Sequence, residues 1–160
     1  MIDTKTADRR KLTYTSLDDV LADVEKIVAA DKAGKLRCTG NWTAGQAMGH
    51  VAAWMNYPYD GFPIGKPPFF IRWILKFLKG KYLREGMSAG VRIPKVDNGT
   101  FATDKLSTDE GAARLRKSLA RMKGKEVAKF DSPAFGKMSD QERLALNLRH
   151  AELHLSFLHP

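Results

Sequence analysis

The sequence feature that most constrains the fold is a helix-start signal that recurs ahead of amphipathic segments. Three capping boxes, in which Ser or Thr precedes Glu or Gln by three residues, are formed by Thr43 with Gln46, Ser107 with Glu110 and Ser139 with Glu142. Each opens a segment whose apolar residues recur at the spacing of one helix face. A fourth amphipathic segment follows Ser16, a favoured N-cap residue. The chain is therefore predicted to be all-α.

The predicted helices span roughly 16–32, 43–57, 107–123 and 139–157. The second is expected to stop before Pro58, because proline disfavours a helical residue ahead of it. Four amphipathic helices of this length can bury their apolar faces against one another as a bundle. At 160 residues the chain is expected to form one domain, residues 1–160, with a core of its own.

A long insert, residues 58–106, separates the second of these helices from the third. Its first part, FFIRWILKFLKGKYL at 69–83, is predicted to be an extra amphipathic helix with Arg72, Lys76 and Lys79 on one face. The rest is punctuated by Gly and Pro and is predicted to be a long loop. Connections of this length are typical of lids and binding loops.

Two roles are open for the helix predicted at 69–83. The favoured one is a cap over the open end of the bundle, with Trp73 and Phe77 buried against it. The other is a contact with a membrane surface or a partner protein, because a basic face opposite aromatic residues suits a membrane interface. Nucleic acid is a disfavoured partner, since the Lys and Arg residues form no recognisable nucleic-acid motif.

The charge balance favours anionic partners. Lys and Arg number 27 against 18 Asp and Glu, which gives a formal net charge of +9. The first residues lack the apolar stretch of a signal peptide, and no apolar run reaches the length of about 18 residues that a membrane span needs. The single Cys38 cannot form an internal disulfide. A cytoplasmic protein is expected.

The histidines are the residues most suggestive of chemistry. Three of the four lie in the final stretch RHAELHLSFLHP, where His150 and His154 stand one helical turn apart. Two imidazoles at this spacing can reach one metal ion, because their Cβ atoms lie about 5–6 Å apart. A metal site needs three or four ligands, and His50 in the second helix is the candidate third. His159 follows His154 by five residues and is expected to point elsewhere.

Two polar residues next to these histidines are candidates for a supporting role. Gln46 lies one turn before His50, and Asn147 lies three residues before His150. Each is predicted to hold a metal ligand or a bound water in place without itself binding the metal. Gln46 also has a competing role in its capping box. From spacing alone, the alternative that all of these are ordinary polar residues on helix faces remains open.

The sequence also carries a family resemblance. NWTAGQAMGHVAAWM, with a Trp just before a capped helix and a His seven residues after its cap, resembles the second helix of the DinB/YfiT superfamily. FGKMSDQERLALNLRHAELHLSF resembles its final helix, in which H-x-x-x-H supplies two metal ligands. The resemblance spans most of the chain and is closest to a branch classed as a domain of unknown function.

This resemblance implies an up-down-down-up four-helix bundle, with the extra helix and the long loop inserted between helices two and three. It also implies a divalent metal held by His50, His150 and His154, with an open coordination position. The sequence departs from the superfamily pattern at two places: Leu153 and Phe157 stand where relatives often have a second His and a Gln. The departures leave metal binding intact as an expectation and weaken the transfer of any one activity.

The implied ligand set predicts a metal-dependent enzyme. Three neutral imidazoles suit zinc or nickel, and an open position accepts water or a thiol whose pKa the ion lowers. Characterised superfamily members include transferases and isomerases that use a low-molecular-weight thiol, so the expected activity is that of a thiol S-transferase or a hydrolase. The expected partner is a small anionic molecule or thiol. The alternative is a non-enzymatic binding bundle whose basic helix 69–83 contacts a membrane surface or partner protein. The catalytic residues are not identified, and a homodimer is left open.

Overall fold

The structure is a computed structural model that describes residues 2–94, 96, 99–124 and 126–160. Over these residues the chain is mainly helical, with five helices and one pair of two-residue strands. In chain order the elements are α1 (Leu17–Lys32), β1 (Arg37–Cys38), α2 (Ala44–Asp60), α3 (Phe69–Glu85), α4 (Thr108–Lys123), α5 (Asp140–Leu155) and β2 (Leu158–His159).

All five helices begin where the sequence predicts, and four of them begin with a capping box. The side chains of the N-cap residues of α1, α2, α4 and α5 accept a hydrogen bond from the backbone N–H three residues on, and the side chain of that third residue accepts one from the backbone N–H of the cap. In α2, for example, Thr43 Oγ1 accepts from the backbone of Gln46 at 3.3 Å, and Gln46 Oε1 accepts from the backbone of Thr43 at 3.1 Å. These reciprocal bonds satisfy donors that a helix start otherwise leaves free.

The predicted stop before Pro58 is wrong. Helix α2 continues through Pro58 to Asp60. Tertiary contacts hold this last turn, since Arg121 of α4 donates to both carboxylate oxygens of Asp60 at 2.8 Å and lies over the Tyr59 ring at 4.6 Å. A proline near a helix end removes one backbone hydrogen bond, and these contacts offset that loss.

The apolar core is shared by α1, α2, α4 and α5. The packed pairs among these four are α2 with α4, α2 with α5, α1 with α4 and α1 with α5. Fully buried side chains come from all four helices and include Ile27, Met55, Leu115 and Leu155. Burying a side chain of this size stabilises the fold by about 1.5–3 kcal/mol each.

Two glycines allow α2, α4 and the segment before α4 to approach closely. A Cβ atom on Gly45 would lie 2.1 Å from the carbonyl oxygen of Leu106, and one on Gly111 would lie 2.4 Å from the carbonyl oxygen of Gly45. Real Cβ atoms do not tolerate such distances, so both positions require glycine. The segment before α4 therefore lies alongside the first turns of α2.

The two short strands tie the end of the chain back to the segment after α1. They pair antiparallel, with Arg37 opposite His159 and Cys38 opposite Leu158. The backbone N–H of Thr39 extends the contact by donating to the carbonyl of Phe157 at 2.9 Å. Helix α5 therefore ends at Leu155, two residues before the predicted end.

A second anchor, here called the N-terminal ionic cluster, consists of Arg10, Tyr14, Asp23, Arg149 and Glu152. Arg10 donates to both carboxylate oxygens of Asp23 at 2.8 and 2.7 Å, and the Tyr14 hydroxyl donates to Asp23 at 2.6 Å. The backbone of Tyr14 donates to Glu152 and accepts from Arg149, both at 2.6 Å. The cluster fixes the segment before α1 against one face of α5.

Helix α3 forms in the insert as predicted, but its apolar face is not buried as expected. Trp73 is 64% exposed and Phe77 is 70% exposed, so the predicted burial of these two side chains is wrong. The helix contacts α5 through its other side, where Lys79 pairs with Glu142 at 2.6 Å. Within the described residues, none of the helices has both the length and the apolarity needed to cross a bilayer.

Candidate metal centre

Three of the four histidines meet between α2 and α5. His50 lies in the middle of α2, and His150 and His154 lie one turn apart on the facing side of α5. The ring centroids are 5.0 Å apart for His50 and His150, and 4.5 Å apart for the other two pairs. Each ring offers one nitrogen, and these atoms all lie within 4.8 Å of one another. The structure thus brings together the three residues that the sequence singled out.

The fourth histidine lies elsewhere, as predicted. His159 belongs to β2, where its Nδ1 lies 3.3 Å from a guanidinium nitrogen of Arg37 and its Nε2 lies 3.4 Å from the Thr39 hydroxyl. These contacts are part of the strand pairing at the end of the chain. We therefore define the histidine cluster as His50, His150 and His154 only.

A backbone carbonyl sets the tautomer of His50. Its Nδ1 lies 2.9 Å from the carbonyl oxygen of Phe101, and because a carbonyl only accepts, Nδ1 carries the proton and donates. The neutral ring then presents its Nε2 lone pair to the interior of the cluster. A hydrogen bond of this kind on the far nitrogen is the usual partner of a metal-ligating histidine.

The spacing of two of the three nitrogens fits a bound divalent ion. His50 Nε2 lies 3.2 Å from His150 Nε2. Two imidazole nitrogens on one tetrahedral zinc ion lie about 3.3–3.4 Å apart, given zinc–nitrogen distances of about 2.0–2.1 Å. The observed spacing therefore matches that of two ligands on a common ion.

The protonation of His150 also favours a cation between His50 and His150. Among the described residues its buried Nδ1 has no hydrogen-bond partner. If Nε2 of His150 donates to His50, Nδ1 is left as a buried acceptor without a donor. If Nδ1 carries the proton instead, it is an unpaired donor, and two Nε2 lone pairs face each other. A cation between the two Nε2 atoms would turn those facing lone pairs from a repulsive contact into two ligand bonds.

The electrostatics of the cluster keep all three rings neutral. Burial lowers the pKa of His50 to about 4, against a smaller opposing effect from its bond to the Phe101 carbonyl. Burial, followed by the neighbouring histidines, holds the pKa values of His150 and His154 well below 6.5. Neutral imidazole is the form that binds metal, so the cluster is ready for an ion at neutral pH.

Two indole rings enclose the cluster. Trp42 stacks on His154 with centroids 5.1 Å apart and planes 14° from parallel, and it lies 4.8 Å from His50. Trp54 lies 6.0 Å from His50 and 5.8 Å from His150. Such packing fixes the imidazole planes and keeps water off their apolar edges.

The two predicted supporting residues, Gln46 and Asn147, lie next to the histidine cluster, and their hydrogen bonds run to backbone groups. Gln46 keeps its place in the capping box of α2, and its Nε2 donates to the carbonyl of Thr103 at 3.4 Å. Asn147 donates to the carbonyl of Arg143 at 2.9 Å. Gln46 thus helps to hold the segment that carries the Phe101 carbonyl. A role for either residue in holding a ligand or water stays a prediction.

Sequence reasoning missed the Phe101 carbonyl and Trp54. Trp54 follows His50 by four residues and so shares its helix face, a signal that the sequence did contain. The carbonyl gave no such signal, because any residue type supplies one and its position depends on how the insert folds back.

A cavity of about 1490 Å³ opens beside the histidine cluster. Its lining includes the three histidines, both indoles and much of the insert, and it is predominantly apolar. Among the described residues, the charged lining consists of Lys5, Lys66, Arg92, Lys105 and Arg143 against Asp3 and Asp131. A cavity with this lining suits a ligand with an apolar body and a negative charge.

Comparison with known families places nearly the whole chain in a family of unknown function. The model of a family described only as proteins of unknown function, DUF1569, matches residues 6–160, which is nearly the whole chain. Comparison with curated proteins and with solved structures finds no match.

Proposed function

The chain belongs to the DUF1569 family, and we propose that it is a divalent-metal-dependent enzyme whose ion is held by His50, His150 and His154. The observation that carries this proposal is the meeting of three neutral imidazoles, two of them with Nε2 atoms 3.2 Å apart, beside a large cavity. Structural zinc sites use four protein ligands, whereas catalytic sites use three and keep one position open. A set of three histidines facing a cavity matches the second kind.

We further propose that the fold is an up-down-down-up four-helix bundle of the DinB/YfiT type, in one domain over residues 1–160. Support comes from the core that α1, α2, α4 and α5 share, with α3 outside it. The same superfamily resemblance pairs the second helix with the last through metal ligands. In this protein those two helices are α2 and α5, which carry the histidine cluster.

Zinc or nickel is the proposed ion, because imidazole ligands suit both. When bound, such an ion would lower the pKa of a water or low-molecular-weight thiol in the open position, which is the chemistry of a hydrolase or a thiol S-transferase. The chain's own part is to orient the rings of His50 and His154 through the Phe101 carbonyl and the stacked Trp42. The basic residues in the cavity lining would draw in a small anionic substrate or thiol.

Elemental analysis tests the metal directly. Untagged protein, purified without a chelating column, should contain close to one ion of zinc or nickel per chain. His154→Ala and His150→Ala should each reduce that content severalfold or more, because each removes one of three ligands. His159→Ala is the matched control, since it removes a histidine of the same C-terminal stretch that contacts Arg37 instead.

The outcome that contradicts the proposal is equally clear. If the variant with all three cluster histidines replaced by alanine holds as much metal as the wild type, the ion binds elsewhere. If the wild type takes up no divalent ion from solution, the protein is better described as a non-enzymatic binding protein. Addition of glutathione to cobalt(II)-loaded protein distinguishes a thiol S-transferase from a hydrolase. Only a site that binds the thiol at the ion should change its visible absorption.

A further inference from the structure

Helix α3 exposes a continuous set of large apolar side chains, here called the aromatic face. Its members are Phe69, Phe70, Trp73, Ile74 and Phe77, each of them at least half exposed. They lie along one side of the first three turns, and the Trp73 and Phe77 rings pack edge to face at 4.6 Å. A contiguous apolar patch of this size on a protein surface marks a site of interaction.

The charges around the aromatic face are nearly all positive. Over its 17 residues α3 carries five cations, Arg72, Lys76, Lys79, Lys81 and Arg84, and a single acid, Glu85. Lys79 is occupied by its ion pair with Glu142. Lys76, Lys81 and Arg84 are exposed, and Lys81 lies 3.9 Å from the exposed carboxylate of Glu85. At 100° per residue, these three flank the aromatic face or continue it toward the C-terminus of the helix.

We propose that α3 docks in the plane of an anionic lipid surface, with the aromatic face in the headgroup and acyl boundary and the exposed cations on the lipid phosphates. Aromatic and aliphatic side chains on one face, with lysine and arginine beside them, are the composition of helices that lie in a membrane interface. Each lysine or arginine near an anionic bilayer adds attraction that depends on salt concentration.

Charge also argues against a second copy as the occupant of this face. Two copies meeting through α3 would bring Lys76, Lys81 and Arg84 of both chains toward one another. Each copy carries a formal net charge of +9, so the approach is opposed at long range as well. An anionic bilayer meets the same charges with attraction.

The position of α3 connects this surface to the cavity. Ile71 and Leu75, on the opposite side of the same helix, line the cavity beside the histidine cluster. One helix therefore separates the aromatic face from the cavity interior, and docking would place that cavity wall against the lipid. The docking proposal stands without the metal, since none of the three histidines takes part in it.

Vesicle flotation tests the docking. The wild type should float with vesicles of phosphatidylglycerol and phosphatidylcholine in equal amounts at low salt, and binding should weaken at high salt. It should not float with pure phosphatidylcholine. Phe77→Asp should lower the partition coefficient on the order of tenfold or more, because it places a charge in the buried face of an interfacial helix. Trp73→Ser should weaken binding without adding a charge.

Val127→Asp is the matched control. Val127 is 76% exposed and lies outside α3, so this variant makes the same change in net charge on another surface. It should bind vesicles nearly as the wild type does. If Phe77→Asp and Val127→Asp bind alike, the aromatic face has no part in binding and the proposal fails. It also fails if the wild type binds neither vesicle, including the case in which sedimentation shows a dimer that Phe77→Asp turns into a monomer.

Discussion

Helix α5 contributes to two polar clusters on different sides, and the two differ in charge and in what their side chains face. Arg149 and Glu152 belong to the N-terminal ionic cluster, where two arginines and two carboxylates bond to one another and to the backbone. His150 and His154 belong to the histidine cluster, where three neutral imidazoles lie close together and line a cavity. The members of the N-terminal ionic cluster bind one another and the backbone, whereas the histidine cluster leaves room for a ligand.

The two clusters differ because their buried side chains contact different groups. Asp23 meets the guanidinium of Arg10 and the hydroxyl of Tyr14, and burial together with this carboxylate raises the pKa of Tyr14 well above 10. The histidine rings meet one another and two indoles, so burial makes them neutral instead. At similar depth, one cluster holds charges that stabilise the fold and the other holds lone pairs that can bind a cation.

The largest effect on stability is expected when the N-terminal ionic cluster is disrupted. Asp23→Ala should lower the free energy of unfolding by about 3 kcal/mol, because it leaves the part-buried guanidinium of Arg10 without its counter-charge. Urea unfolding followed by circular dichroism measures the change. In chelator-treated protein, His154→Ala should cost only about 1 kcal/mol, the lost packing against Trp42. Equal losses in the two variants would contradict the comparison.

A somewhat smaller effect on stability is expected when zinc binds to the histidine cluster. Zinc at a free concentration of 100 times its dissociation constant should raise the free energy of unfolding by about 2.7 kcal/mol. For a chain of this length the melting temperature should then rise by roughly 5–10 °C. Differential scanning calorimetry of the wild type and of His150→Ala checks this. A gain of the same size in the variant would show that zinc binds at another place.

Acid should destabilise the metal-free protein through the histidine cluster. The pKa of His50 is about 4 in the folded chain and about 6.5 in the unfolded chain, so the unfolded state takes up the proton first as pH falls. This contribution is fully present above pH 6.5 and is lost toward pH 4, by about 2.5 kcal/mol at pH 4.5. Urea unfolding at pH 7.5 and 4.5 measures the loss, and in His50→Phe it should be smaller by that amount. Metal affinity should hold through pH 6.5 and fall nearer pH 4.

The smallest effect on stability is expected on α3, which lies outside both clusters. It shows what a substitution at an exposed position costs. Phe77→Asp should change the free energy of unfolding by less than about 0.5 kcal/mol, because the side chain is 70% exposed. Leu115→Asp, the same kind of change at a fully buried position, should cost several kcal/mol. A loss of that size for Phe77→Asp would mean that the aromatic face is buried in solution.

The sequence predicted the helix starts because their signals are local. A capping box is written within four residues, and each of the three boxes forms as expected. The end of α2 depends instead on distant partners: Arg121 holds Asp60 beyond a proline that the local rule treats as a stop. The pairing of Arg37 with His159 joins residues 122 apart and has no signature in either short stretch.

The candidate site divides in the same way. Helical spacing brings His150 and His154 together, and the superfamily resemblance supplies the third ring from α2. The Phe101 carbonyl, which sets the tautomer of His50, lies in the insert and has no signature in sequence. The burial expected for Phe77 failed because α3 has apolar residues on two sides, and composition does not tell which side the rest of the chain covers.

The placement of the three tryptophans has an optical consequence. Trp42 and Trp54 lie against the imidazole of His50, whereas Trp73 stands in solvent on α3. Indole emission depends on neighbouring quenchers and on the polarity around the ring, so the intrinsic fluorescence of this chain combines two independent signals. In Trp73→Phe the remaining emission should respond to zinc alone. With Trp42 and Trp54 replaced by phenylalanine, it should shift to the blue with anionic vesicles alone.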